Sequence, residues 1–152
     1  MSMEKELLDE IGRVAVSLAQ HMRLEATAAF DSTDAGVSLN FTGRDVDLLL
    51  QRNGAVLYAF EYILNRIFAR RLGADQKITA DAGGFRALRE EELRLMALKA
   101  CEKVMAYGES VGLQPMLPHE RRIIHLALQD QPKVRTVSEG FGEERKVVIV
   151  PA

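Results

Sequence analysis

Two side chains four residues apart, Arg121 and His125, are the pair in this sequence best suited to recognition chemistry. On a helix, that spacing puts both on one face. A guanidinium is permanently charged and forked, which suits a phosphate oxygen. An imidazole beside it can donate a hydrogen bond or stack on a base. Ile123, Ile124, Ala127 and Leu128 supply the opposite, buried stripe of the same helix. Arg122, Lys133, Arg135, Arg145 and Lys146 extend a basic surface around the pair, or serve as ordinary solubilising charges.

A second constellation is the run Gln51-Arg52-Asn53-Gly54. A phosphate backbone can press against a glycine, which has no side chain to keep it away. Arg52 could hold a phosphate and Asn53 could donate a hydrogen bond. Gln51 either blocks that approach or replaces a backbone contact with its own amide. The run is either a working clamp or a shell kept for structure or for a protein partner. Arg66, Arg70 and Arg71 follow on the next helix, where cations widen an electrostatic footprint or simply complement the helix dipole.

Enzymatic chemistry fails on inventory, so no catalytic residue is expected. The three histidines are His21, His119 and His125, and the last two are six apart, off a common helical face. The single cysteine, Cys101, cannot build a structural zinc site. No nucleophile elbow, phosphate-binding loop or dinucleotide fingerprint occurs, and no cofactor, metal or small-molecule substrate is expected. Glu90-Glu91-Glu92 reads as a solvated helix face. Cys101 reads as a small core residue in a stripe with Leu98 and Met105, and Met96, Met105 and Met116 as packing residues.

These residues need elements to position them. Apolar steps of three and four mark a helix over 4–22. Two alternating stretches, Leu24 to Phe30 and Val37 to Phe41, flank the turn cluster at 31–36 and predict a hairpin. Asp45 to Leu50 reads as a short helical turn ending in the 51–54 loop. A helix follows from Ala55 to Leu72, with the stripe Val56, Leu57, Phe60, Ile63, Leu64, Ile67 and Phe68. Lys77 to Asp81 reads as a third strand, Phe85 to Tyr107 as a long helix, and Pro118 to Gln129 as a helix entered at a proline. Val134 to Val137 and Lys146 to Val150 pair across the turn at 139–142.

The chain has 152 residues, 47% hydrophobic and 28% charged, values ordinary for a soluble globular protein. The net charge of −2 is uneven: residues 1–50 hold 4 Lys/Arg against 9 Asp/Glu, and residues 51–112 hold 10 against 8. Residues 113–152 hold 6 against 5. One cysteine allows no internal disulfide and fits a reducing cytosol, so a cytoplasmic location is expected. No apolar run approaches the ~18 residues of a membrane span.

The order αββααβ over residues 1–82, with D-L-L-L-Q-R-N-G-A-V-L-Y-A-F-E-Y-I-L-N around its loop, resembles a type II KH domain. Such domains carry a G-x-x-G loop that clamps about four nucleotides; here Gln51 replaces the first glycine and Gly54 keeps the second. P-H-E-R-R-I-I-H-L-A-L-Q-D followed by V-R-T-V-S-E-G-F-G-E-E-R-K-V-V-I resembles the domain named for its Arg-x-x-x-His motif, written here R-3-H. The two in series are similar to the bacterial Jag/KhpB (SpoIIIJ-associated protein) family. That resemblance implies an α+β chain: a KH unit at 1–82, a connecting helix at 83–108 and an R-3-H unit at 109–152. It implies a non-enzymatic binder of single-stranded RNA, or single-stranded DNA. The residues carried over are Arg121 and His125, with Gln51, Arg52, Asn53 and Gly54; Arg122, Lys133 and Arg135 join the expected nucleic-acid-binding set as the basic surface around the pair. It also implies a small KH-only partner protein and a part in cell elongation and division. The rival expectation is a protein-interaction adaptor whose KH unit no longer binds RNA.

Overall fold

Strict alternation decides the first sheet. Val37, Leu39 and Phe41 are buried, and Asn40 and Thr42 face out, so one face of this strand must meet helices. A computed structural model describes residues 2–152, with side chains from Glu4 onward. The chain divides into two compact units, one ending at Arg86 and the other running from Ala87 to Ala152.

In the first unit, helix α1 (Ser2–His21) precedes strands β1 (Thr27–Thr33) and β2 (Gly36–Thr42). A short α2 (Val46–Leu49), the long α3 (Gln51–Leu72) and β3 (Lys77–Asp81) complete the αββααβ order that the KH resemblance implies. Strand β1 runs antiparallel to β2, from Thr27 opposite Thr42 to Thr33 opposite Gly36. β3 lies parallel to β2 on its other side, Ile78 opposite Val37. The core joins Ile11, Ala15 and Ala19 of α1 to Leu39 and Phe41 of β2, and to Leu57, Phe60, Leu64 and Phe68 of α3. Phe41 and Phe60 meet edge to face, centroids 5.6 Å apart. The α3 stripe is narrower than its sequence suggests. Ile63 and Ile67 are 42% and 52% exposed, on the face turned from the core.

The outer edge of β3 is closed by side chains rather than by another strand. The Asn65 amide donates to the Ile78 carbonyl at 2.7 Å and accepts from the Ile78 N–H at 2.8 Å. The Glu61 carboxylate accepts from the Ala80 N–H at 2.9 Å. Arg86 Nε donates to the Ala80 carbonyl at 2.6 Å, and its guanidinium also pairs with Glu61. An unpaired sheet edge is a template for pairing with other chains; here α3 and Arg86 occupy it.

The second unit contains most of helix α4 (Phe85–Tyr107), then β4 (Val111–Gly112), α5 (Pro118–Leu128), β5 (Val134–Glu139) and β6 (Lys146–Pro151). Its antiparallel sheet has the order β4-β6-β5. Helix α4, read from sequence as a connector, is a core element here. Leu93, Ala97, Ala100, Cys101 and Val104 pack with Ile124 and Leu128 of α5 and with Val134, Val147 and Ile149 of the sheet. The Cys101 thiol is pushed up by burial and by Glu102, so it stays protonated in the core. Leu98 and Met105, grouped with Cys101 by sequence, do lie beside it on α4 but are 43% and 46% exposed, at the solvent edge of the buried stripe.

Candidate nucleic-acid interface

The loop at 51–54 has a definite geometry. Arg52, Asn53 and Gly54 are all left-handed, with φ/ψ of 53/48, 56/38 and 82/17. They form one left-handed turn between α2 and the regular part of α3. The Gly54 N–H closes the turn onto the Leu50 carbonyl at 3.0 Å. Gly54 is buried, and a Cβ there would lie 2.5 Å from Phe85 Cε1 and 3.3 Å from Tyr58 Cε2. Both its backbone angles and its floor of two rings therefore require glycine. Gln51, Arg52 and Asn53 are exposed above that floor. Sequence reasoning named the loop but not the floor: Tyr58 lies one turn on, with the Arg86 guanidinium 4.8 Å above its ring, and Phe85 follows β3.

Arg66 and Arg70 are exposed and in no ion pair among the described residues. Arg71 is tied inward instead: it donates to Glu10 at 2.6 Å and lies over the Phe68 ring. It braces α3 against α1 and leaves the basic footprint.

In the second unit, Pro118 opens α5, and Glu120 sits in its first turn, where a carboxylate complements the helix dipole. Arg121 and His125 do share a face, and both are partly buried. Arg121 Nη1 donates to the Met116 carbonyl at 2.7 Å, bracing the segment that leads into the helix. His125 spans from α5 to β5: Nδ1 lies 2.6 Å from the Thr136 hydroxyl and Nε2 2.9 Å from the Ser138 hydroxyl. Burial lowers its pKa and the nearby Arg121 charge lowers it further, so the ring is held neutral. A neutral imidazole has one donor and one acceptor, and a hydroxyl can take either role, so both contacts are satisfied together. Thr136 and Ser138 are partners that the sequence reading missed.

The remaining cations divide between faces. Thr136 and Ser138 face α5, opposite the core residues Ile149 and Val147 of β6. Alternation sends Arg135 to the other face, with Val137 and Glu139, opposite Val150, Val148 and Lys146. Arg122 is exposed on α5 and Lys133 in the turn before β5. Arg145 Nη1 donates to the Gly140 carbonyl at 2.7 Å. None of Arg121, Arg122, Lys133, Arg135, Arg145 and Lys146 forms an ion pair among the described residues. By contrast, Arg89 and Arg94 of α4 are neutralised by Glu92 and Glu120, and by Glu90 and Glu91. The carboxylate run at 90–92 is thus partly engaged in these pairs.

Among the described residues, no cluster of His, Cys, Asp and Glu could hold a metal ion, and no helix is long and apolar enough to cross a membrane.

Residues 91–151 match the R-3-H domain family, and Arg121 and His125 of α5 lie within the matched stretch. The match begins within α4, in line with that helix's place in the core. Over most of its length the chain is also similar to proteins named RNA-binding protein KhpB. It is 30% identical to that of Clostridium symbiosum over 131 residues, covering 86% of this chain and 59% of the relative. It is 34% identical to that of Bacillus subtilis over 115 residues, covering 74% and 55%. With the Streptococcus pneumoniae protein, identity is 24% over 145 residues, covering 95% and 44%. The chain thus spans about half the length of these relatives, and they bear out the resemblance to the Jag/KhpB family.

Proposed function

We propose that this protein is a non-enzymatic binder of single-stranded nucleic acid, RNA in the first instance, with the second unit supplying most of the contact. The observation that carries this reading is the set of six cations from Arg121 to Lys146, none used in an ion pair among the described residues. Unneutralised cations concentrated on one small unit attract phosphates even when the chain's net charge is near zero. Arg121, Arg122 and Lys133 take phosphates, and Arg135 takes one on the other face of β5, an edge strand that a nucleic acid can pass around, while His125 holds α5 on β5 and so positions Arg121. Gln51, Arg52, Asn53 and Gly54 form a second, weaker contact through Arg52. Two linked contacts gain by avidity. The names of the relatives support RNA as the ligand.

The test is fluorescence anisotropy with a labelled single-stranded RNA at several salt concentrations. Binding through Z phosphates gives a log–log salt slope of about −0.7Z, and each lost phosphate contact lowers Z by one. Arg121→Ala combined with Arg122→Ala should flatten the slope. A salt-insensitive or absent interaction would sink the reading.

A second reading, an adaptor that docks protein on its first unit, is favoured by one observation: Ile63 and Ile67 of α3, four residues apart on one face, are exposed, and so is Tyr62 next to Ile63. Apolar docking there would be nearly indifferent to salt, which separates the two readings.

A further inference from the structure

We propose that Phe141 is a base-stacking finger, an aromatic ring held clear of the protein to receive one unpaired base. The inference rests on the nucleic-acid reading of the second unit and names the residue that would contact the base. At 90% exposure, Phe141 is the most exposed large apolar side chain among the described residues. It is not at a loose tip. The turn between β5 and β6 bonds three successive carbonyls: Gly140 to Arg145 Nη1 at 2.7 Å, Phe141 to the Glu144 N–H at 3.2 Å, and Gly142 to the Arg145 N–H at 3.2 Å. Gly140 has φ of +91°, and a Cβ there would lie 3.1 Å from the Glu144 carbonyl oxygen. The backbone under the ring is therefore fixed, and the ring projects from it into solvent.

Its surroundings say what would dock. Ser138, bonded to His125, is three residues before Phe141, at most about 11 Å of extended chain. Arg145 brings an unpaired cation into the same turn. Glu139, Glu143 and Glu144 flank Phe141 in sequence and are exposed. Those carboxylates repel phosphate at the tip, whereas a base face carries no charge and stacks on an aromatic ring regardless of base identity. Phosphates would lie on the cations and one base would swing onto Phe141. The ring then adds affinity without adding salt dependence.

The chain has no tryptophan, so Phe141→Trp installs a single reporter at the ring position. The full chain is titrated with a fluorescein-labelled single-stranded RNA of mixed sequence at several salt concentrations. Four proteins are compared: wild type, Phe141→Ala, Phe141→Leu and Phe141→Trp. The Ala and Leu variants should bind roughly 5- to 100-fold more weakly with an unchanged salt slope. The Trp variant should bind like wild type, with its emission quenched by unlabelled RNA. Melting temperatures should match throughout, because the side chain is exposed. If Phe141→Leu binds as tightly as wild type, the aromatic face is irrelevant and the proposal falls. If wild type binds with a salt slope, but Phe141→Ala binds equally and the Trp emission does not change, the proposal falls and the nucleic-acid reading stands. If wild type binds no nucleic acid, both fall.

Discussion

Arg89 of α4 and Glu120 of α5 meet out of water: Arg89 Nε donates to Glu120 Oε1 at 2.8 Å, with the side chains 9% and 3% exposed. Burial alone would lower the Arg89 pKa, but hydrogen bonds and charge from Glu120 and Glu92 raise it above its ordinary value. The other Glu120 oxygen accepts from the Leu117 N–H at 3.4 Å, at the entry to α5. One carboxylate thus fixes both the helix pairing and the start of the helix that carries Arg121.

Removing one partner of a buried pair leaves an unpaired charge in the interior and costs about 3–5 kcal/mol. Glu120→Ala should destabilise the second unit by about that much in urea unfolding. Arg89→Met combined with Glu120→Leu removes both charges and should recover most of the loss. Equal losses in the single and double variants would show that the pair's charges are not what matters.

His125 makes the second unit sensitive to acid. Its pKa is lowered in the folded state, by burial first and then by Arg121, from an ordinary value of 6.5. Above that value both states carry a neutral ring, and the group adds no pH dependence. As pH falls below it, the unfolded chain takes up the proton first, so stability declines until the folded-state pKa is passed. The melting temperature should drop on acidification below about pH 6.5, and by less in His125→Asn. The difference between the two proteins isolates this ring, since His21, His119 and the carboxylates are common to both. Parallel curves would remove His125 as the source.

The loop trades stability for charge at Arg52. A non-glycine residue in the left-handed region costs about 1–2 kcal/mol, and a new glycine gives part of that back by loosening the unfolded chain. Arg52→Gly should therefore stabilise the first unit by about 0.5–1 kcal/mol and, under the proposed function, weaken RNA binding and reduce the salt slope by about 0.7. Opposite signs in melting and binding are what a functional arginine in a strained position gives. Gly54→Ala should only harm: it adds a left-handed penalty and a clash with Phe85, together about 2–4 kcal/mol.

Period was legible in the sequence; which face is covered was not. Alternation and turn residues place β3 at Lys77–Asp81 and start α5 at Pro118, as observed. On α4, two apolar stripes share one period. Leu93, Ala97, Ala100 and Val104 are buried, while Leu88, Leu95, Leu98 and Met105 are exposed. Nothing local distinguishes a connector from a core helix when both stripes are apolar. The same ambiguity misplaced Ile63 and Ile67. His125 was legible as half of a pair, but its partners Thr136 and Ser138 lie on a strand 11 and 13 residues away, beyond any helical spacing. The sequence reading grouped Arg135 with Arg121 in one basic surface; the alternation of β5 instead puts Arg135 on the face away from Val134, Thr136 and Ser138.

Asn65 does at the edge of β3 what a neighbouring strand would do. Its amide reproduces the paired N–H and C=O contacts of a strand at Ile78, and it is anchored by a further bond to the Glu61 carbonyl at 2.8 Å. The two Ile78 groups are partly shielded by α3 and so cannot simply turn to bulk water. Leaving a buried donor or acceptor unsatisfied costs about 1–3 kcal/mol. Asn65→Leu fills the same volume without the amide and should lower the stability of the first unit by about 2–4 kcal/mol, because a donor and an acceptor are both stranded. Asn65→Asp keeps an acceptor for the Ile78 N–H but puts a carboxylate against the Ile78 carbonyl, so it should not rescue. Opening the edge also restores a pairing template, so Asn65→Leu should associate at concentrations where the parent does not, as read by light scattering. Loss of stability without association would mean that Glu61 and Arg86 alone keep the Ala80 half of the edge shut. Neither change would show that the amide is dispensable and that α3 shields the strand by packing alone.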